Sequence, residues 1–258
     1  MKALVLNGPG AFSLETVPDP APGPGQAVAR VIACGAGLTI QHVKAGRAKV
    51  DYPRIIGHEI TGVIEAVGPG VTDIAVGDPV TAYFYLTCGH CKWCRIDRET
   101  LCENFGGYIG RACDGGYAEL MKLPSKNFIK LPDSLDWKAH PAEIGVITDA
   151  IATPVKVVRH ANIRACREAG ADICIDPRDG DAVEALKDLS GGGIDVAIDF
   201  VSSRETLETA VQALGRGGRM VTLGGSGDTF GVHAHAMLEK ELVLMGSRYA
   251  TRQEVIES

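Results

Sequence analysis

Four cysteines crowd into fifteen positions: Cys88-Gly-His-Cys91-Lys-Trp-Cys94, then seven residues, then Cys102. No other feature constrains the chain as much, because thiols at that spacing either pair as disulfides or share an ion. Disulfide clusters staple small secreted chains that lack a sufficient core. This chain has 258 residues, of which 45% are hydrophobic. Its opening Met-Lys-Ala-Leu-Val-Leu-Asn-Gly carries no long apolar run of the secretory kind. A metal is therefore the better reading. Three thiolates at i, i+3 and i+6 can wrap one ion, and the fourth closes a tetrahedron. Zn²⁺ favours such an S₄ set in structural roles. With Cys88, Cys91, Cys94 and Cys102 all ligating, no position stays open for water, so this zinc is expected to be structural. His90 reads as a surface loop residue, and Cys34, Cys113, Cys166 and Cys174 as small apolar ones.

Charge narrows the partners. The 26 Lys+Arg stand against 32 Asp+Glu, a formal net charge of −6. That balance disfavours a nucleic-acid binder with a broad basic surface. No apolar run approaches the roughly 20 residues needed to span a bilayer. A soluble cytoplasmic protein with a small-molecule substrate is expected, with neither nucleic acid nor membrane as partner.

The pattern changes along the chain. Strands are expected at 2–7, 26–34, 60–67 and 79–85, divided by Gly/Pro turns, as in a β-barrel-like domain. Beyond about 155, strands at 171–176, 194–201, 220–224 and 241–246 alternate with helices at 181–190 and 204–216. That alternation signals βαβ units and a parallel sheet. The last residues, 252–258, read as the start of a further helix.

Several motifs now combine. The Cys₄ lobe, Gly57-His58-Glu59, the following I-T-G-V-I-E-A-V-G and Val76-Gly77-Asp78 resemble, in order and spacing, the zinc-containing alcohol dehydrogenases of the medium-chain dehydrogenase/reductase family. The match covers about 1–155, and the stretch from 163 to 248 resembles the later part of that family's nucleotide-binding domain. The resemblance implies a mixed α/β fold. A GroES-like β-barrel catalytic domain (1–155, zinc lobe at about 86–104) would precede a Rossmann-type parallel sheet (156–258). It also implies NAD or NADP as cofactor and a homodimer or homotetramer.

The same resemblance implies a second, catalytic zinc held by a loop Cys, the His of Gly-His-Glu and a later Cys or acid. Here the chain departs from the family. Gly37 stands where the loop Cys is expected, and Asp149 where a Cys is common. His58, Glu59 and Asp149 remain as a candidate ligand set of one imidazole and two carboxylates. Thr39 and His42 match the family's proton relay. By spacing alone they read as a strand or turn hydroxyl and a surface polar residue. Thr153, Leu223 and Gly224 are the candidate cofactor contacts.

A Rossmann unit needs a strand, a G-x-G-x-x-G turn and a helix. No such glycine turn occurs in the chain. Where it is expected, only Val155 to Glu168 is present, against roughly 30 or more residues for one βαβ unit. Either residues of a longer protein are absent from this sequence or the unit has been deleted, and in the second case no appreciable NAD(H) binding is expected. Three functions follow. The first is an NAD(P)-dependent oxidoreductase of an alcohol or its carbonyl. The second is a zinc-independent relative acting on an acyl-CoA or conjugated enone. The third is a non-catalytic, zinc-stabilised remnant. The cysteine spacing makes the first prediction: the purified protein carries about one zinc per chain with Cys₄ ligation. X-ray absorption without Zn–S scattering would rule this out.

Overall fold

The computed structural model describes residues 1–161, 173, 175, 180–225 and 227–257. The chain divides into two units, Met1–Thr153 with Ala250–Ser258, and Pro154–Tyr249. Ala250–Ser258 groups with the first unit. Tyr83 Oη donates to the Ala250 carbonyl at 3.3 Å, and Arg252 Nε to the Lys126 carbonyl at 3.3 Å. The Arg252 backbone N–H also donates to the buried Glu99 carboxylate.

The first unit is built on antiparallel strands. β1 (Lys2–Gly8), β2 (Ala11–Thr16) and β4 (Arg54–Ile55) form one sheet in the order β2-β1-β4. β3 (Gln26–Cys34), β5 (Ile60–Val67), β6 (Pro79–Ala82), β7 (Leu120–Pro124) and β8 (Phe128–Lys130) form a second, in the order β7-β3-β5-β6-β8. β3 and β5 coincide with the expected strands because their β-branched runs end at Gly/Pro turns. The expected strand at 79–85 stops at Ala82, where the Tyr83 N–H leaves the ladder to bond the Asn127 carbonyl. α1 (Leu38–Lys44) buries Ile40 and Val43 against Leu6, Val50 and Ile56. A short run with that i, i+3 spacing between loops gave no helical signal strong enough to read. α2 (Pro141–Val146) opens on proline, a favoured first helical residue. It continues through a π-helical turn at Ile147–Ile151 into α3 (Ala152–Ala161).

In the second unit, α4 (Ala182–Ser190) is capped by Asp181, whose carboxylate accepts from the Val183 and Glu184 N–H groups at 2.9 and 3.1 Å. There follow β9 (Ile194–Asp199), α5 (Arg204–Ala213), β10 (Leu214–Thr222), α6 (Ala234–Lys240) and β11 (Val243–Gly246). The strands are parallel, in the order β11-β10-β9. The helix expected to reach Arg216 ends at Ala213. Leu214 already pairs with Ile194, and Gly215, Gly217 and Gly218 weaken any helical continuation. α7 (Arg252–Glu257) matches the helix read at the tail. The strand expected at 171–176 lies outside the described residues, Ile173 and Ile175 apart. Among the described residues no helix is long and apolar enough to cross a membrane.

Leu207, Val211, Leu214, Met220 and Leu242 make the core of the second unit, and Leu214 is fully buried. Leu214→Ala is expected to destabilise the protein by about 2–5 kcal/mol. Urea unfolding with an unchanged midpoint would contradict that packing.

Candidate active site and zinc lobe

The lobe is made of tight turns, with 3₁₀ segments at Cys94–Ile96 and Glu99–Leu101. Its Sγ atoms converge: Cys91 to Cys94 at 3.5 Å, Cys88 to Cys102 at 3.6 Å and Cys88 to Cys94 at 3.9 Å. All four lie within 4.8 Å of one another. A tetrahedral zinc with Zn–S bonds of about 2.3 Å needs sulfur separations of about 3.8 Å. The residues present therefore fit the ion. The backbone is arranged for thiolates as well. The N–H groups of His90 and Cys91 aim at Cys88 and hold its thiol down to about 5. The Cys88 N–H donates to Cys102 Sγ at 3.3 Å. His90 is exposed and turns Nδ1 to the Cys88 carbonyl at 3.0 Å, as a loop residue does.

A second cluster forms where the chain enters β5. His58 and Glu59 are both buried. The His58 ring lies against Phe84, with centroids 4.9 Å apart. Its Nε2 faces Asp149 Oδ2 at 3.2 Å, across 91 residues of sequence. Asp149 sits in the π-helical turn, a feature that concentrates at functional sites. The Thr153 hydroxyl donates to Asp149 Oδ1 at 3.2 Å, so the carboxylate is held from both sides. Burial is the main reason the Glu59 carboxyl titrates above its usual range, and the negative charge of Asp149 adds to it. His58 and the N–H groups of Ala150 and Gly37 partly offset that rise.

A Cβ built at Gly37 would lie 3.1 Å from Glu59 Oε2. The carboxylate thus takes up the space beside the glycine that a side chain would need. This bears on a second zinc. Among the described residues, the Cys₄ lobe is the only group of three or more His, Cys, Asp or Glu ligand atoms mutually within 4.8 Å. His58 and Asp149 are hydrogen-bonded, with Glu59 held by backbone N–H groups beside them, but the three do not form a compact three-ligand set. This arrangement does not fit a preassembled catalytic zinc site.

Thr39 and His42 lie one turn apart on α1, so the strand-or-turn reading of Thr39 is corrected. Thr39 is half-buried and His42 exposed. Leu223 and Gly224 follow the carboxyl end of β10 in the second unit. Sequence reasoning missed the Thr153–Asp149 bond and Phe84, since contacts between distant segments leave no local pattern. It also missed Asp199, although an acid closing an apolar strand before a Ser-Ser pair is a signal that could be read.

The cysteines differ in what they predict. Burial, helped by the Glu59 charge, pushes the Cys34 thiol up to about 12. Below that value the group is neutral and a poor nucleophile. Iodoacetamide at about pH 8, near the ordinary thiol pKa, is therefore expected to leave Cys34 unmodified. Rapid alkylation of Cys34 in the native protein would contradict this burial.

Comparison with known proteins places the chain. Residues 23–133 match the alcohol dehydrogenase GroES-like domain, and residues 150–258 the zinc-binding dehydrogenase domain. An alcohol dehydrogenase of Geobacillus stearothermophilus is 30% identical over 91% of this chain and 80% of its own length. An L-threonine 3-dehydrogenase of Pyrococcus horikoshii is 29% identical over 87% of this chain and 76% of its own. Among solved structures, a thermostable alcohol dehydrogenase from Pyrobaculum aerophilum with cobalt and zinc bound is 28% identical, with a TM-score of 0.80 over 100% of this chain and 86% of that one. A short chain alcohol dehydrogenase from E. coli CFT073, complexed with NADH, is 25% identical, with a TM-score of 0.85 over 100% and 86%. A second Geobacillus alcohol dehydrogenase aligns over 303 positions with all of this 258-residue chain, which leaves about 45 positions filled only by the relative. The chain belongs to the zinc-containing alcohol dehydrogenases of the medium-chain dehydrogenase/reductase family and is an oxidoreductase.

Proposed function

We propose that this protein interconverts a small alcohol and its carbonyl compound with NAD or NADP, and that His58, Asp149 and Glu59 handle the substrate proton. The observation that carries this reading is the buried His58–Asp149 contact at 3.2 Å, with the Glu59 carboxyl beside it titrating above its usual range. When bound, the nicotinamide supplies or accepts the hydride. The protein's own part is to hold a proton near the reacting oxygen and keep water away from it.

Three groups have distinct tasks. His58, tilted against Phe84, offers Nε2 as the exchanging atom. Asp149, fixed by Thr153, orients the imidazole. Glu59 is the reservoir, because a desolvated carboxyl holds its proton to higher pH than a surface one. Thr39 and His42 on α1 are the proposed relay toward solvent. Thr153, Leu223 and Gly224 are the proposed contacts for the cofactor. A homodimer or homotetramer in the cytoplasm is the proposed state of the protein.

One observation favours a second reading. With the Glu59 carboxylate beside Gly37 and no thiolate in that loop, the site suits proton transfer without a metal. Reduction of a conjugated or acyl-CoA double bond needs a hydride, which a bound reduced nicotinamide would supply, and a proton, which this cluster can deliver.

Asp149→Asn is expected to lower kcat/KM by about 10²–10⁴-fold, the range for a positioned acid–base pair, with zinc content unchanged. Thr153→Ala should show a smaller loss in the same direction. Turnover is measured by NADH and NADPH oxidation with aldehydes, ketones and enoyl thioesters, which also separates the two readings. Wild-type rates in Asp149→Asn would exclude the cluster from the chemistry.

A further inference from the structure

The zinc lobe and the tail are joined through the same two residues. Glu99 opens the 3₁₀ segment Glu99–Leu101, just before the ligand Cys102. Its carbonyl accepts from the Cys102 N–H at 2.9 Å. Its buried carboxylate reaches the other way and accepts from the Arg252 N–H, across 153 residues of sequence. One residue thus bonds a metal ligand with its backbone and the tail with its side chain. The Tyr83 hydroxyl, also buried, bonds the same carboxylate and the Ala250 carbonyl. Lys126 repeats the arrangement at the other end of the lobe. Its Nζ donates to the carbonyl of Thr87, the residue before Cys88, and its own carbonyl accepts from Arg252 Nε at 3.3 Å.

The tail depends on being held there. α7 starts with a reciprocal cap, in which the Thr251 N–H donates to Glu254 Oε2 at 2.7 Å and the Glu254 N–H to Thr251 Oγ1 at 3.2 Å. That cap leaves the Arg252 N–H to an acceptor outside the helix, and Glu99 is that acceptor. A helix of six residues does not persist alone in water. Its order comes from these bonds and from burial of Ala250, Thr251 and Val255. The lobe in turn is made of turns whose order is drawn from the ion that four thiolates share. Whatever fixes the lobe therefore fixes both acceptors of Arg252.

We propose that zinc binding in the lobe and docking of 250–258 are coupled, with Glu99 and Lys126 as the positioning residues. The ion holds the two acceptors in place for the tail, and the docked tail tightens the zinc. Coupling between two equilibria is reciprocal, so the two effects are equal in size. The proposal rests on the Cys₄ zinc and is independent of the reaction catalysed.

Hydrogen exchange of the full chain, read by mass spectrometry, tests this. Stripping the zinc with a chelator is expected to speed exchange of 250–258 about tenfold or more, while 60–67 in β5 stays protected. Unchanged protection of 250–258 overturns the coupling. If 60–67 loses protection as well, zinc affinity decides, measured by competition with a chromogenic chelator. Arg252→Pro removes both bonds from the tail side, and proline suits a first helical position. It is expected to weaken zinc about tenfold, and Glu99→Ala likewise, whereas Glu99→Gln keeps an acceptor and should stay within about threefold. The double variant Glu99→Ala with Arg252→Pro should bind no more weakly than the weaker single one, because both act through one contact. A role for Glu99 confined to the lobe would leave Arg252→Pro at wild-type affinity, and that result overturns the coupling. If Arg252→Pro does not fold, Arg252→Ala, which loses only the Nε bond, decides by a loss of about threefold. A wild-type protein that binds no zinc overturns the Cys₄ reading and the coupling together. Zinc bound with an indifferent tail overturns the coupling alone.

Discussion

A buried carboxylate must be given hydrogen bonds or keep its proton, and Glu59 organises the first unit around that demand. Its neighbours come from three separate segments. Gly37 lends an N–H from the loop before α1, Ala150 lends one from the π-helical turn, and His58 adds an imidazole from the same chain entry. The backbone repeats the tie, because the Glu59 carbonyl accepts from the Gly35 N–H at 2.7 Å. β5 then carries the segment into the middle of the five-stranded sheet, between β3 and β6. The strands fix where the carboxylate sits, and the carboxylate fixes which residues the two loops can place beside it. Gly35 shows it most directly, since a Cβ there would lie 2.6 Å from Glu59 Oε2.

The two metal questions have opposite answers for the same physical reason. In the lobe, four soft donors from one short segment converge at separations that suit zinc, and turn N–H groups support the thiolate form. In the His58 cluster, the donors are borderline or hard and already satisfy one another. A zinc there would have to break the His58–Asp149 contact or share it, and would have to draw Glu59 away from two N–H groups.

Much of the first unit was legible in the chain. The spacing of Cys88, Cys91, Cys94 and Cys102 is a local pattern, and the lobe folds locally. β3 and β5 were legible because their apolar runs are long and end at Gly/Pro turns. α1, α2 and α3 were not, since short helices with mixed faces draw their stability from packing instead of periodicity. The limit of α5 was misread because the pairing of Leu214 with Ile194 competes with helix extension, and pairing is a long-range event.

The sequence by itself determined the zinc lobe, the family, and the absence of a glycine turn, all carried by residue identity at fixed spacing. The tertiary structure decided the rest. It brought Asp149 to His58 across 91 residues, turned Thr153 onto Asp149, and returned Ala250–Ser258 to the first unit. It also tied the Val201 and Ser202 N–H groups to the Asp199 carboxylate at the end of β9. Such contacts depend on distances between segments that come together only when the sheets close, and no local pattern of residues encodes a distance.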